Sequence, residues 1–423
     1  MAPKHQAPRG TRDLLPEATP RWRWAEARSR EVFARYGYGE IRTPIFEDYE
    51  LFARSSGESS DVVQKEMYRF TDLGDRDLAL RPENTAGVVR SYLEHGLGGR
   101  SRVHRLWYAG PMFRYGRPQK GRYRQFSQIG CELIGSPAPG ADVEVITLFV
   151  DVFEAWGFKD LVVKVNSVGT PESRRGYGEA LRNALAPYRE RLSEDSQRRL
   201  DTNPLRVLDT KSEGDLAVLR ELDPLPRMID FLDEESAKHW ADVTAGLTAA
   251  GIKFEIDHGL VRGLDYYTRT AFEVHDRSLG AQSALGGGGR YDGLIEMLGG
   301  PATPGVGFSI GLDRAMLVLE ERGVAVENPE AVCIVAMDGT RAAATSLARE
   351  LRREFTVEID VEARGFSAQM KAAGKSGARC LVIMGEDEWN AGHKVVLKDS
   401  KSNTQETLTR DAVVAALRAK LVR

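Results

Sequence analysis

Apolar positions recur at helical spacing from Thr19 to Gly37, with Thr19 placed as an N-cap, Pro20 in the first turn and Gly37 at the left-handed stop. The next stretch, Glu40-Ile41-Arg42-Thr43-Pro44, reads as a strand with a proline at its end. Runs near 67–70 and 77–81 predict two further strands, which lead into a helix beginning at Asn84 or Thr85. Residues 103–113 and 125–134 have the pattern of a long antiparallel hairpin around a polar tip. From about 171 to 255 the chain turns helical and heavily charged, with turn signals at Asn203-Pro204 and Asp223-Pro224-Leu225-Pro226, so an inserted helical subdomain is expected there. A strand pattern returns at 270–275, a glycine-rich turn is expected over 286–289, and a strand-to-helix segment covers 305–319.

Past a linker near 324–329, apolar runs at 332–337, 357–361 and 380–384 alternate with helical segments near 341–354 and 410–421. That alternation predicts a small α/β domain. At 423 residues the chain is too long for one core. The expected architecture is therefore α+β: a core over 1–325 interrupted by helices at 171–255, and a tail domain over 330–423. No internal repeat or low-complexity segment is present.

Composition narrows the class. A content of 42% hydrophobic and 29% charged residues is that of a globular chain rather than a disordered one. Fifty-nine basic against 62 acidic residues give a net charge of −3, which does not by itself point to nucleic acid, so a local basic patch has to carry any such reading. No apolar run is long enough for a signal peptide or a membrane span, which predicts a cytoplasmic protein without a membrane partner. Cys131, Cys333 and Cys380 lie far apart and read as buried thiols of a reducing compartment. The scattered histidines form no ligand pair, so no protein-ligated metal is expected.

Charge distribution changes the picture at the hairpin. From Arg100 to Cys131 there are eight Lys or Arg residues and no Asp or Glu. Strand periodicity puts Met112 and Arg114 on one face, and Phe126, Gln128, Gly130 and Glu132 on one face of the return strand. If both faces line one cleft, a guanidinium, an amide and a carboxylate converge over a floor opened by Gly130. A solvated hairpin with ordinary surface charges is the bland alternative. A cationic loop over a polar inner face favours a site for a phosphate and a zwitterion, and the loop also suits an RNA backbone.

These residues also carry a resemblance. The stretch FRYGRPQKGRYRQFSQIGCELIG closely resembles motif 2 of histidyl-tRNA synthetases. RGTRDLLP (9–16) resembles the family's N-terminal signature, GEIRTPIFE (39–47) its motif 1, and GVGFSIGLDR (305–314) its motif 3. The segments LVRGLDYYT (260–268) and GGGGRYD (286–292) are similar to those that set the histidine enzyme apart from other class II synthetases. A single short motif is weak, but all of them in family order over nearly the whole chain are specific.

The resemblance implies a class II synthetase core of mostly antiparallel sheet flanked by helices, followed by an α/β anticodon-binding domain. It implies activation of L-histidine by ATP, transfer to a histidine-accepting tRNA, magnesium bound with ATP, and a homodimer built on motif 1. Arg114 and Arg262 would hold the α-phosphate and the substrate carboxylate from opposite sides. Arg314 would bind the terminal phosphate or stack near the adenine. Glu83, Thr85, Gln128 and Glu132, with Asn84 between two of them, would bind the amino group and ring. Tyr266 and Tyr267 would wall the imidazole, a packing role remaining open for one of them. Arg117, Gln119 and Lys120 at the loop tip would reach the tRNA acceptor end.

One departure stands out. Class II motif 2 commonly carries a glutamate two residues after its arginine, where it helps read the adenine, and this chain has Gly116 there. Backbone groups or another side chain must take that task. Two related readings compete: a histidine-sensing regulatory subunit of ATP phosphoribosyltransferase, which typically lacks the tail domain and loses the catalytic arginines, and another class II synthetase. The retained arginines, the tail, and the RGLDYYT and GGGGRYDG segments oppose them. A plain RNA-binding module would leave Glu83, Gln128 and Glu132 without a role.

Overall fold

In the computed structural model, which describes residues 5–421 other than 58–59, 61, 223, 262–265, 278–283, 325 and 327–329, the predicted hairpin is the centre of the larger unit. Numbered along the chain, the strands of that unit are β1 Gly39–Glu40, β2 Phe46–Asp48, β3 Tyr68–Thr71, β4 Asp77–Leu80, β5 His104–Phe113, β6 Gln125–Ile134, β7 Leu161–Ser167, β8 Phe254–Ile256, β9 Thr268–Asp276, β10 Ala284–Arg290 and β11 Gly305–Gly311. Eight of them form a sheet in the order β1-β5-β6-β11-β10-β9-β7-β8. It is antiparallel except at its two ends, where β1 runs parallel to β5 and β8 to β7. A second sheet, β2-β4-β3, is small and antiparallel.

The two faces of the large sheet differ, and β6 shows why. Ile129, Cys131 and Leu133 alternate onto the face covered by helices Thr19–Arg35 and Pro139–Ala155, where Val32, Phe33, Val145, Phe149 and Phe153 are fully buried. Gln128, Gly130 and Glu132 fall on the opposite face, as period-2 alternation requires. The apolar cluster there is smaller and rich in tyrosine, containing Tyr108, Tyr266, Tyr267 and Tyr291.

Several expectations shift. The glycines at 286–289 are not a turn but part of β10, paired to β9 and β11. A Cβ on Gly286 would stand 2.6 Å from the Ser309 carbonyl oxygen, and one on Gly288 would overlap that of Gly307, so glycine here permits close strand packing. The strand expected at 40–44 pairs only through Gly39–Glu40, because the carbonyls of Thr43 and Pro44 turn to accept from Nη1 of Arg81 at 3.1 and 3.3 Å. Thr19 is the first helical residue and Ala18 holds the cap position, while Gly37 ends the turn at φ +76° as expected. Helices Pro171–Leu185, Glu194–Thr202 and Glu213–Glu221 surround small cores of their own. Helix Glu234–Ala249, inside the span expected to be inserted, instead buries Val243 and Leu247 in the main core, and β8 joins the large sheet.

The chain divides into units Met1–Ala325 and Val326–Arg423. The second has its own five-stranded sheet, with strands β12 Ala331–Ala336, β13 Thr356–Ile359, β14 Cys380–Met384, β15 Lys394–Asp399 and β16 Thr404–Thr409 in the order β13-β12-β14-β15-β16. Its first three positions are parallel, joined through helices Arg341–Leu351 and Phe366–Ser376. The antiparallel pair β15–β16 and the Phe366–Ser376 helix are not in the sequence reading. Cys131 and Cys380 are buried, Cys333 is half-buried rather than buried, and all three are free thiols.

Candidate active site

The chain leaves β4, passes Glu83 and starts the helix Thr85–Glu94. The first amides of a helix lack partners within it, and the Glu83 carboxylate accepts from two of them, Thr85 N at 2.6 Å and Ala86 N at 3.0 Å. Glu83 is thereby locked in place, with lone pairs to spare for a ligand. Thr85 Oγ1 donates to Glu132 Oε1 at 2.8 Å, Tyr108 Oη to the same oxygen at 3.4 Å, and Tyr291 Oη to Oε2 at 2.6 Å. Helix start, β5, β6 and the segment after β10 are thus tied together at one carboxyl.

These groups line a cavity of about 170 Å³ with Arg114, Gln128, Tyr266 and Tyr267. Gln128 Nε2 donates to Ser309 Oγ at 3.4 Å, while its Oε1 is buried without a hydrogen-bond partner among the described residues. A buried acceptor left open is costly unless a ligand N–H fills it. The rings of Tyr266 and Tyr267 lie 4.7 Å apart at 49°, and Tyr291 stands edge-on to Tyr266 at 5.9 Å. Burial, its largest cause, pushes the Glu132 carboxyl up to about 8, against the hydrogen bonds from Tyr291 and Thr85. Burial also raises Glu83, with the two backbone amides and Arg114 acting in the opposite direction.

Arg114 links this cavity to a wider cleft. Its Nε donates to the Pro82 carbonyl at 2.8 Å, and it lines both spaces. The cleft, about 600 Å³, is also lined by Arg117, Gln119, Arg122, Phe126, Gly286, Gly287 and Arg314. Burial and the neighbouring Arg122 lower the pKa of Arg314, whose Nε is buried without a hydrogen-bond partner among the described residues. The arrangement suits a polyanion next to a small zwitterion. An N-terminal strap closes over it. Gly10 O accepts from Arg124 N at 2.7 Å, Arg12 donates to Asp313 at 2.8 Å, and the Arg12 guanidinium sits 4.3 Å over Tyr123.

Of the residues expected from sequence, Glu83, Thr85, Arg114, Gln128, Glu132, Tyr266 and Tyr267 meet in the cavity, and Arg117, Gln119 and Arg314 line the cleft. Asn84 joins neither. Its Oδ1 faces away and accepts from Thr43 Oγ1 at 2.6 Å and Arg81 Nη1 at 3.2 Å, because the buried Arg81 needs acceptors there. Lys120, expected at the loop tip rather than in the cavity, is exposed and pairs with Glu321 at 2.6 Å. Arg262 lies outside the described residues.

Sequence reasoning missed Tyr108 and Tyr291. Alternation back from Met112 puts Tyr108 on the site face, and Tyr291 sits within the GGGGRYD segment, so both carried a signal. Glu66, which also lines the cleft, and Arg122 carried none beyond the hairpin's charge. Among the described residues no group of His, Cys, Asp and Glu could hold a metal ion.

Comparison with known proteins agrees with this geometry. A family profile described as histidyl-tRNA synthetase matches residues 10–315, and one described as an anticodon binding domain matches 331–420. The histidine–tRNA ligase of Thermosynechococcus vestitus is 48% identical over 393 residues, spanning 92% of this chain and 90% of that protein. That of Desulforamulus reducens is 46% identical over 411 residues, spanning 96% and 97%. The crystal structure of the apo S. aureus histidyl-tRNA synthetase superposes with a TM-score of 0.81 at 40% identity, covering 97% of this chain and 99% of that one. With the polar cavity, the arginine-lined cleft and these matches taken together, the chain belongs to the histidyl-tRNA synthetase family.

Proposed function

We propose that the cavity holds L-histidine, that the cleft holds ATP, and that Arg114 spans the two. The enzyme is a histidine–tRNA ligase: it activates histidine with ATP and transfers it to tRNA. The observation that carries the division of the site is that one arginine lines both an acceptor-rich cavity and a cationic cleft. Activation needs the histidine carboxylate to attack the α-phosphorus in line and expel pyrophosphate. No protein nucleophile is required. Holding two anions together and neutralising charge at the transferring phosphorus is work suited to planar, permanently charged guanidinium groups.

In this reading the substrate ammonium is held by Glu83 and the open Gln128 Oε1, and the imidazole by Glu132 within the tyrosine walls. Arg262 assists Arg114 at the α-phosphate, and Arg314 takes the terminal phosphate or the base. A magnesium ion on the ATP phosphates would supply further charge neutralisation. Glu273, paired with Gly287 across the strands and lining the cleft, is a single carboxylate of the kind that suits an ion held mainly by phosphates and water.

The α/β unit would bind the anticodon, and Arg117 and Gln119 the acceptor end. A homodimer is supported by exposed Ile45, Phe46 and Phe70, the latter two on one face of the small sheet by their register against Leu80 and Leu78. Among the described residues no helix is long and apolar enough to cross a membrane, and a reaction fed by ATP, histidine and tRNA belongs in the cytoplasm. ATP–pyrophosphate exchange across the twenty amino acids tests the reading. Histidine alone should respond; exchange with another amino acid, or none, would refute it.

A further inference from the structure

We propose that Glu66 selects the base of the nucleotide, accepting a hydrogen bond from the 6-amino group of adenine across the space that Gly116 leaves open. The proposal rests on the reading that ATP occupies the arginine-lined cleft.

Glu66 ends a single π-helical turn, Val62–Glu66, an irregularity that recurs at functional sites. Its position is pinned to the hairpin. Tyr115 N donates to the Glu66 carbonyl at 2.7 Å, Tyr68 packs edge-on against Tyr115 at 5.6 Å, and the Arg124 guanidinium lies 3.6 Å over the Tyr115 ring. The carboxylate is half-buried and faces the same cleft as Arg114, Arg117, Arg122 and Arg314, yet it makes no hydrogen bond or ion pair with any described residue. A carboxylate in such a cleft that pairs with none of its arginines is left free to accept from a ligand.

The position opposite is complementary. A Cβ built on Gly116 would stand 3.6 Å from Glu66 Oε1, so any longer side chain at 116 would fill the space in front of the carboxylate. An ionised carboxylate accepts hydrogen bonds and donates none. It therefore takes the amino group of a 6-aminopurine and is repelled by the carbonyl of a 6-oxopurine. The four arginines suit phosphates, and Glu66 is the cleft's counterpart for a group that donates.

The test compares histidyl-adenylate formation from ATP, purine riboside triphosphate (no 6-amino group) and inosine triphosphate. The wild type should use ATP about 10- to 100-fold better than purine riboside triphosphate, the range for one charge-assisted hydrogen bond. Glu66→Ala should bring the two within about threefold by losing ATP alone, with an unchanged KM for histidine and an unchanged melting curve. Glu66→Gln, whose amide can donate, should narrow the gap between ATP and inosine triphosphate. Gly116→Glu in the Glu66→Ala background should recover the preference for ATP.

Wild-type discrimination surviving in Glu66→Ala overturns the assignment. Arg314→Ala run in parallel should lower kcat/KM for all three nucleotides. If it lowers none, the cleft is not the nucleotide site, and the functional reading falls together with the role of Glu66.

Discussion

Tyr291 Oη donates a 2.6 Å hydrogen bond to Glu132 Oε2 although 159 positions separate them, and Thr85 grips the other oxygen at 2.8 Å. Glu132 is so enclosed that its carboxyl titrates at about 8 instead of 4.5. Between those two values the folded chain holds a proton that the unfolded chain releases. The group's contribution to stability is therefore fully present below 4.5 and is lost as pH rises through about 8. The melting temperature of wild type relative to Glu132→Gln should accordingly fall between about pH 4.5 and 8 and level off above that. A cationic histidine should ionise Glu132 on binding. Calorimetry at about pH 5, where the free ring is already protonated, in buffers of different ionisation enthalpy should show up to about one proton released by wild type beyond that released by the variant. A melting difference that does not vary with pH would show that Glu132 is already ionised in the free protein.

Arg114 is aimed by its Nε bond to the Pro82 carbonyl and lines both the cavity and the cleft. Arg114→Ala should cost about 3 kcal/mol or more in activation, roughly a hundredfold in pyrophosphate exchange, with the fold intact by melting. Arg114→Lys should recover little, because a single ammonium cannot hold two oxygens in a plane. Exchange near the wild-type rate in both variants would remove Arg114 from the chemistry.

Gly307 sits under Glu132 in β11, where a Cβ would overlap both Glu132 Oε2 and the Cys131 carbonyl. Gly307→Ala should destabilise the chain by about 1–3 kcal/mol and raise the KM for histidine more than that for ATP, because the displaced group is the cavity's carboxyl. Equal effects on both substrates would mean that the strand distorts as a whole instead.

Every residue assigned to activation precedes the second unit, which has its own core of Val332, Ile334, Leu347, Val382 and Leu417. A chain ending at Ala325 should still make histidyl-adenylate at a near-normal rate, while charging limiting tRNA at least about tenfold more slowly, a loss of about 1.4 kcal/mol in productive binding. Undiminished charging would give the tail another task.

Much of the site was legible because strand alternation is local. The period of two put Gln128, Gly130 and Glu132 on one face of the hairpin, and Gln128 and Glu132 line the cavity, while Tyr108 and the Phe308 carbonyl cover Gly130. The same rule reaches Tyr108. The glycine run at 286–289 shows the limit of local reading, since four glycines signal a turn unless neighbouring strands demand close approach, and those neighbours, Thr268–Asp276 and Gly305–Gly311, flank it in the sheet. Asn84 shows the same limit at the scale of one side chain. Flanked by two cavity residues, it turns to Arg81 because a buried guanidinium requires acceptors.

Periodicity, the one-sign hairpin and the ordered motifs thus determined the two-part α+β plan, the family and most of the residues that line the cavity, all properties carried by short stretches of chain. The tertiary structure alone decided that Tyr291 meets Glu132, that Asn84 leaves the cavity, and that Glu66 stands before Gly116. These depend on which distant segments pack together, and on burial, which raises the cost of an unpaired polar group enough to reorient side chains that local pattern cannot place.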